Sequence, residues 1–269
     1  MRISHSALQT YLECPYKYFL HYLRKLRPID EKSSLLFGAA IDTGLNHLLE
    51  TRNLIEAKEQ FLIHWDKYRY KKVQYSKADL EEHLVEDEPG NTWLSLRRRG
   101  LILLEEFDAQ VMPRLKKIIA VQVNRTIKND DDDELIVKCD FIAEWEDGIV
   151  TLFDNKTSTV KYAEDSVRNS EQLAIYYEQL KYEYNLERCG FIVIPKKINK
   201  KKLPRVDIKV ILDNVSEETL DKTLASYDEV LYNIKAAQFE QNKSSCIGKF
   251  GRCPYYLYCH SGSLKGLKE

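Results

Sequence analysis

Three polar residues near the middle of the chain have types and a spacing that could do chemistry. Asp140 lies within an alternating apolar run, while Asp154 and Lys156 end the next apolar run. Residues two apart on a strand project from the same face, so Asp154 and Lys156 should point the same way. Two carboxylates can hold a hard cation through oxygen, and a lysine can orient a water or neutralise charge. This combination is typical of metal-assisted hydrolysis of phosphodiesters.

The segment 135–158, LIVKCDFIAEWEDGIVTLFDNKTS, must bring these three residues together. Its two apolar runs have the alternation and β-branched content of strands, and the Glu-Asp-Gly triplet at 146–148 is typical of a hairpin turn. If the strands pair across that turn, Asp140 converges with Asp154 and Lys156. An Asp-x-Lys spacing is common by chance, and a surface hairpin with charged residues is the ordinary alternative. The surrounding elements therefore decide between the two.

A second group of residues follows in the run Glu-Gln-Leu-Ala-Ile-Tyr at 171–176, which is typical of a helix. Gln172 and Tyr176 are four residues apart and share one helical face. With Asp140 and the Asp-Asn-Lys-Thr run at 154–157, this pattern resembles the PD-(D/E)XK nuclease superfamily. The likeness is greatest to its RecB-type branch, which includes the CRISPR-associated RecB-like exonucleases and many phage relatives. Features near both chain ends match as well, so the resemblance covers nearly the whole chain.

The resemblance implies a fold and an activity. The fold would be α/β, with a restriction-endonuclease-like core in which helices flank a mixed central sheet. An N-terminal helical module and a C-terminal cysteine cluster that joins the chain ends would complete it. The activity would be that of a Mg²⁺- or Mn²⁺-dependent deoxyribonuclease in DNA recombination, repair or processing. We expect an exonuclease that acts on single-stranded DNA or DNA ends, with a helicase or recombinase as a possible protein partner.

The resemblance also implies roles for individual residues. Asp140 and Asp154 would bind the metal, and the backbone carbonyl of Asn155 would add a ligand. Lys156 would orient the attacking water. The catalytic residues expected on this basis are Asp140, Asp154, Lys156, Gln172 and Tyr176, with the last two lining the site and touching the nucleic acid.

One position departs from the family pattern. The family has a glycine followed four residues later by a histidine that ligates the metal, whereas here Gly38 is followed four residues later by Asp42. A carboxylate is a good ligand for Mg²⁺ or Mn²⁺, so Asp42 can fill the role of the histidine. His47 lies five residues further along and faces elsewhere. The lost histidine supports an alternative, a non-catalytic or partner-dependent DNA-binding subunit that keeps the nuclease fold and the cluster.

Four of the six cysteines have a metal-binding pattern, with Cys14 near one end and Cys246, Cys253 and Cys259 near the other. In an intracellular protein such clustering indicates a metal rather than disulfides. Three close thiolates need a fourth ligand for a tetrahedral site or a cubane cluster, and Cys14 is the natural fourth. The family resemblance implies a [4Fe–4S] cluster, and zinc is the alternative.

The composition limits the class of protein. The chain has 269 residues and a formal net charge of −1. We expect a single nuclease domain over 1–269, mainly helical in 1–117, with the nuclease core in 118–237 and the cysteine segment in 238–269. No apolar run approaches the roughly 20 residues of a membrane span. With no signal peptide recognisable, a cytoplasmic protein is expected, in the host cytoplasm if phage-encoded.

A near-neutral chain that binds DNA needs a local basic patch. The candidate runs are 71–72, 97–99 and 196–202, and the ordinary alternative for each is a solvated face or loop. Aromatic side chains beside a basic channel would suit a single strand. Outside the hairpin, we expect helices at 4–13, 16–26, 33–50, 54–70, 93–117, 170–184 and 216–237, and strands at 118–127, 188–195 and 206–212.

Overall fold

The computed structural model describes residues 1–81, 91–128, 132–199, 203–248 and 251–269. Within these ranges the α-helices are α1 (His5–Glu13), α2 (Pro15–Tyr18), α3 (Ser33–Thr51), α4 (Leu54–Asp66), α5 (Lys77–Glu81), α6 (Thr92–Gln110), α7 (Glu171–Tyr184), α8 (Glu217–Lys235) and α9 (Tyr256–Ser261). A π-helical segment, Phe19–Leu23, continues α2. The strands are β1 (Arg2–Ser4), β2 (Arg27–Pro28), β3 (Glu31–Lys32), β4 (Val73–Gln74), β5 (Leu115–Lys128), β6 (Glu134–Trp145), β7 (Val150–Ser158), β8 (Arg188–Pro195), β9 (Lys209–Asp213), β10 (Ile247–Gly248), β11 (Gly251–Arg252) and β12 (Leu267–Lys268).

The ends of the helices follow from local residues. The Ser4 hydroxyl accepts a hydrogen bond from the backbone N–H of Ala7 and caps α1, and Ser170 caps α7 in the same way. The helix expected at 93–117 ends earlier, at Gln110. Pro113 follows, and because proline has no N–H to donate, it cannot continue a helix. The chain then enters β5 at Leu115.

The chain divides into two compact units. The first comprises Met1–Asp30, Arg125–Val137 and Leu220–Glu269, and the second comprises Glu31–Asn124 and Lys138–Thr219. Both ends of the sequence therefore belong to the first unit, and each unit is described by itself below.

The second unit is built on a mixed sheet with the strand order β6-β7-β8-β9, and β5 pairs with β6. The β6–β7 pair is antiparallel, as the hairpin pattern predicts, and Gly148 in the turn has φ 88°, which glycine adopts without strain. The β7–β8 pair is parallel because α7 provides the long connection between the two strands. Helices flank this sheet, so the predicted α/β class with a mixed central sheet is confirmed.

The core of the second unit joins α3, α4 and α6 to one face of the sheet. Phe141 and Phe153 face each other across β6 and β7, with ring centroids 4.9 Å apart, and both are fully buried. Phe37 of α3 and Phe61 of α4 belong to the same core cluster. Helix α7 contacts β7 and β8. Apolar packing therefore holds the sheet, and the polar residues of the candidate site lie outside this core.

Two residues of the basic runs are buried in this unit rather than exposed. Arg99 is 3% exposed and Lys196 is 8% exposed. The Lys196 ammonium lies 5.6 Å from the centroid of the Phe37 ring, and burial lowers its pKa while the charge of Asp79 raises it. Neither residue is part of a solvated basic face, and residues 200–202 of the third run lie outside the described residues.

The first unit contains α1, α2, α9 and a small core of Leu20, Leu26, Tyr255 and Leu267. Strand β1 pairs in parallel with the start of β6. The Tyr255 hydroxyl donates a hydrogen bond to the carbonyl of Leu26 over 2.9 Å, which fixes the C-terminal segment to the N-terminal one. Across both units, none of the described helices is long and apolar enough to span a membrane.

The packing of α6 on α4 gives a test of the second unit. A Cβ at Gly100 would lie 2.0 Å from Cζ of the buried Phe61, whereas a Cβ at Gly248 would meet nothing within 4 Å. We expect Gly100→Ala to lower the free energy of unfolding by about 1–3 kcal/mol, because an overpacked core must shift. Urea denaturation measures this, with Gly248→Ala as the control. Equal stability of the two variants would contradict the packing described here.

Candidate active site

Asp154, Lys156 and Gln172 form a hydrogen-bonded network where β7 meets the start of α7. Asp154 is 3% exposed, and its Oδ2 atom lies 2.6 Å from Nζ of Lys156, an ion-pair distance. Gln172 donates from Nε2 to Oδ1 of Asp154 over 3.0 Å and accepts at Oε1 from Nζ of Lys156 over 2.8 Å. The Gln172 amide therefore hydrogen-bonds to both charged groups, the Asp154 carboxylate and the Lys156 ammonium. This contact requires the first turn of α7 to be positioned opposite β7, which the Ser170 cap helps to do.

Asp140 reaches the same place from β6. In the antiparallel pairing of β6 with β7, Glu144 stands opposite Val150, and the last pair is Phe141 opposite Phe153. Just past that register, the Asp140 carboxylate accepts a hydrogen bond at Oδ2 from the backbone N–H of Asn155 over 2.7 Å. The side chain of Asp140 thus satisfies a β7 donor that strand pairing would otherwise satisfy.

Asp42 of α3 joins these carboxylates. Burial and the charge of Asp154 together raise its pKa to about 6, against the opposing effect of Lys156. Burial also raises the pKa of Asp140 well above its usual range, with added contributions from Asp154 and Asp42. The pKa of Asp154 is raised by burial, against the effects of Lys156 and Gln172. The charge of Asp154 therefore disfavours ionisation of both Asp42 and Asp140, which places the three carboxylates within electrostatic reach.

Lys156 keeps its charge in this setting. Burial would lower its pKa, but the Asp154 carboxylate more than compensates, and the pKa is raised. Nζ of Lys156 also lies 5.4 Å from the centroid of the Phe191 ring. Phe191 stands beside Asp154 in the parallel register of β7 and β8. The only sequence signal for Phe191 is its position in the apolar strand after α7.

The remaining candidates lie as follows. Tyr176 is buried, and its hydroxyl oxygen is 3.4 Å from Nε2 of Gln172, so the shared helical face is present. Burial raises the pKa of Tyr176. His47 lies on α3 and pairs with Glu56, with 3.0 Å between Nε2 and Oε2. It is an ordinary helix histidine, as interpreted from the sequence.

The chemistry of the donors fits a hard divalent cation, since Asp42, Asp140 and Asp154 offer carboxylate oxygens. The side-chain oxygen of Asn155 is also buried without a hydrogen-bond partner. Nevertheless, no group of three or more His, Cys, Asp or Glu residues in the described ranges is positioned to hold a metal ion. Internal partners occupy the carboxylates, as the contacts of Lys156, Gln172 and the Asn155 N–H show. Binding a cation therefore requires the carboxylates to exchange these contacts for it.

The first unit brings the four candidate cysteines near one another. All six cysteines of the chain are free. The Cys14 sulfur accepts a hydrogen bond from the N–H of Asn242 over 3.4 Å, and the Cys253 N–H donates to the Cys246 carbonyl over 2.9 Å. Burial, with a smaller contribution from the other three thiols, raises the pKa of Cys259 to about 11. The four thiols are thus within electrostatic reach, although they too form no metal-holding group among the described residues.

Comparison with known proteins identifies the class. A family model described as the PD-(D/E)XK nuclease superfamily matches residues 2–260. The chain therefore belongs to the PD-(D/E)XK nuclease superfamily, whose members typically use Mg²⁺ or Mn²⁺. The mixed sheet flanked by helices agrees with the restriction-endonuclease-like fold of that superfamily.

Two further comparisons add little. No curated protein matches the chain. A solved structure titled "Crystal structure of SSO0001" is 12% identical, over 88% of this chain and 86% of that one, with a TM-score of 0.31. That score is too low to support an inference.

The crowded carboxylates predict a pH-dependent effect of Asp42→Asn. The pKa of Asp42 rises from 3.8 to about 6 on folding, so its contribution to stability is complete below pH 3.8 and is lost as the pH rises through 6. With EDTA present, the variant should be more stable than the wild type above pH 6, by an amount on the order of 1–3 kcal/mol. The difference should shrink towards pH 4.

Chemical denaturation between pH 4 and pH 8 measures this difference. The matched control is Asp207→Asn, because Asp207 is exposed. A variant that is less stable than the wild type at pH 8 would contradict the crowding of the carboxylates.

Proposed function

We propose that this chain is a Mg²⁺- or Mn²⁺-dependent deoxyribonuclease of the RecB type. The observation that carries the proposal is the convergence of Asp140, Asp154 and Lys156 beside α7, in a chain that belongs to a nuclease superfamily. The activity we favour is exonucleolytic, on single-stranded DNA or DNA ends, in recombination, repair or processing.

In this proposal Asp42, Asp140 and Asp154 hold the cation, with the backbone carbonyl of Asn155 as a further ligand. When bound, the cation supplies Lewis-acid chemistry, which activates water and stabilises charge that develops on the phosphate. Asp42 takes the place of the histidine in the family pattern. A carboxylate suits Mg²⁺ and Mn²⁺ at that position, since both prefer oxygen ligands.

Lys156 orients the attacking water and places a positive charge where negative charge develops. Gln172 supports this role, because its carbonyl oxygen accepts from the ammonium over 2.8 Å. Tyr176 lies one helical turn further along α7 on the same face, so these two side chains can line the path of the strand. Phe191 adds an apolar surface below the ammonium.

We further propose that Cys14, Cys246, Cys253 and Cys259 bind a [4Fe–4S] cluster, with zinc as the alternative occupant. The free thiols and their mutual electrostatic effect support this. Such a site would join the two ends of the chain within the first unit, and the free energy of cluster binding would add to that of folding.

The second candidate function is a DNA-binding subunit that is non-catalytic or cleaves only with a partner such as a helicase or recombinase. The aspartate at position 42 is the observation that favours it. The network around Lys156 favours the enzyme, because a binding subunit has no need of a buried ion pair beside two further carboxylates. In either case a cytoplasmic location is proposed.

Substitutions in the network test the enzyme directly. Asp154→Ala and Lys156→Ala should each abolish Mn²⁺-dependent cleavage of end-labelled DNA, since one removes a ligand and the other the ammonium. Lys161→Ala is the matched control, because Lys161 is exposed just beyond β7. Circular dichroism should report a retained fold. Cleavage by a pure preparation of Asp154→Ala would exclude the assignment, and an inactive wild type that binds DNA would favour the subunit.

The cysteine proposal has a spectroscopic test. Anaerobically purified wild type should be brown and contain about four iron atoms per chain, as a cubane cluster requires. Cys253→Ser should lose colour, iron and stability together. Cys189→Ala is the control, because Cys189 is buried in β8 of the second unit and should keep the cluster. A colourless wild type that contains one zinc per chain would reject the iron–sulfur cluster and show that zinc occupies the site.

A further inference from the structure

Two basic runs that stand apart in the sequence meet in the second unit. The first is Lys-Tyr-Arg-Tyr-Lys-Lys at 67–72, directly after α4, and the second begins at Arg97 on α6. Nε of Arg97 lies 3.0 Å from Oδ1 of Asp66, at the end of α4. The Trp65 indole donates to the carbonyl of Trp93 over 3.2 Å. We call residues 67–72 with Trp93 and Arg97 the aromatic–basic surface.

Cations and rings alternate in space on this surface as they do in the sequence. The Arg69 guanidinium lies 5.4 Å from the centroid of the Tyr70 ring and 5.1 Å from that of Trp93. Arg97 lies 5.9 Å from the Trp93 centroid, and the Lys71 ammonium lies 4.9 Å from that of Tyr68. Cation–π contacts of this kind hold the rings in place while leaving the positive charges near the solvent.

The surface combines an exposed ring with an excess of positive charge. Tyr70 is 89% exposed, so its ring face is accessible to a ligand. Residues 66–72 contain four cations and one carboxylate, Asp66, and that carboxylate is paired with Arg97. A ligand for this surface must therefore offer negative charge and flat apolar faces together.

A short chain of side chains connects the aromatic–basic surface with the candidate active site. Thr43 follows Asp42 on α3, and its Oγ1 atom lies 2.9 Å from Nδ1 of His64. The His64 ring in turn lies 5.9 Å from the Tyr68 ring, measured between centroids. The aromatic–basic surface therefore lies close to the part of α3 that carries Asp42.

We infer that the aromatic–basic surface binds single-stranded DNA, with a base stacked on Tyr70 and phosphates on the neighbouring cations. Single strands have both features that the surface requires, because their bases expose flat faces beside a charged backbone. In a duplex those faces are stacked inside the helix, and only the phosphates remain for the surface. The direction of the strand towards Asp42 rests on the proposed nuclease function, whereas the binding itself does not.

Fluorescence anisotropy with a labelled oligo(dT) of about 12 nucleotides, in EDTA to prevent cleavage, tests the inference. We expect Tyr70→Ala to raise Kd roughly tenfold, since stacking on one ring is lost. The matched control is Tyr182→Ala, because Tyr182 is 84% exposed on α7 and the Lys181 ammonium lies 5.0 Å from its ring. The control should leave Kd unchanged, and binding of the matching duplex should not depend on Tyr70.

Salt dependence separates the cations from the rings. Lys71→Gln should reduce the slope of log K against log salt by about 0.7 for a single strand, because one phosphate contact is lost. Tyr70→Ala should leave that slope unchanged. Equal affinities of Tyr70→Ala and Tyr182→Ala would overturn the inference. It would also be overturned by a wild type that does not bind the oligonucleotide, or by a loss of duplex binding as large as the loss of single-strand binding.

The same variants distinguish this inference from the proposed function. Asp154→Ala should bind the oligonucleotide with the same dependence on Tyr70 and cleave nothing. A wild type that binds through Tyr70 but never cleaves would retain the inference and reject the nuclease. A wild type that cleaves with no dependence on Tyr70 would retain the nuclease and reject the inference.

Discussion

The ion pair between the buried Asp154 and the partly buried Lys156 is the interaction on which the candidate site depends. Removing two charges from water is expensive, and the cost is recovered only where geometry and further hydrogen bonds are good. Gln172 supplies those bonds to both charges at once. This position on α7 requires a side chain that can both donate and accept a hydrogen bond, and the amide of Gln172 does so.

The sheet contributes to this arrangement at the point where the backbone pairing of β6 with β7 ends. Up to Phe141 and Phe153 the two hairpin strands bond through their backbones, and beyond them the Asp140 carboxylate takes over at Asn155. An acidic side chain is thereby held at the point where two further carboxylates arrive. The charge of Asp154 raises the pKa of both Asp42 and Asp140, and this is a repulsion that a bound cation would relieve.

The local sequence pattern was enough to predict those parts of the site that lie on elements adjacent in the sequence. The hairpin of β6 and β7 and helix α7 follow from alternation, turn residues and helical spacing. The approach of Asp42 could not be derived from periodicity, because it depends on how α3 packs on the sheet. It was suggested only by the family resemblance.

The positions of lysine and arginine side chains were the hardest to predict from the sequence. Lys196 was expected in a basic turn and is buried, since Asp79 and the Phe37 ring come from elements far away in the sequence. The run at 67–72 was seen only as a pair of lysines. Its partnership with Trp93 and Arg97 depends on the contact of α4 with α6, and no local pattern encodes that contact.

The division into two units has a consequence for the newly made chain. The second unit is complete once residue 219 has left the ribosome, whereas the first needs the last fifty residues as well. Cys14 is therefore synthesised long before Cys246, Cys253 and Cys259. Until they appear, its thiol has no neighbours from the far end of the chain and is open to oxidation and to mispairing. Production of the intact protein should thus depend on how reducing the compartment is during translation.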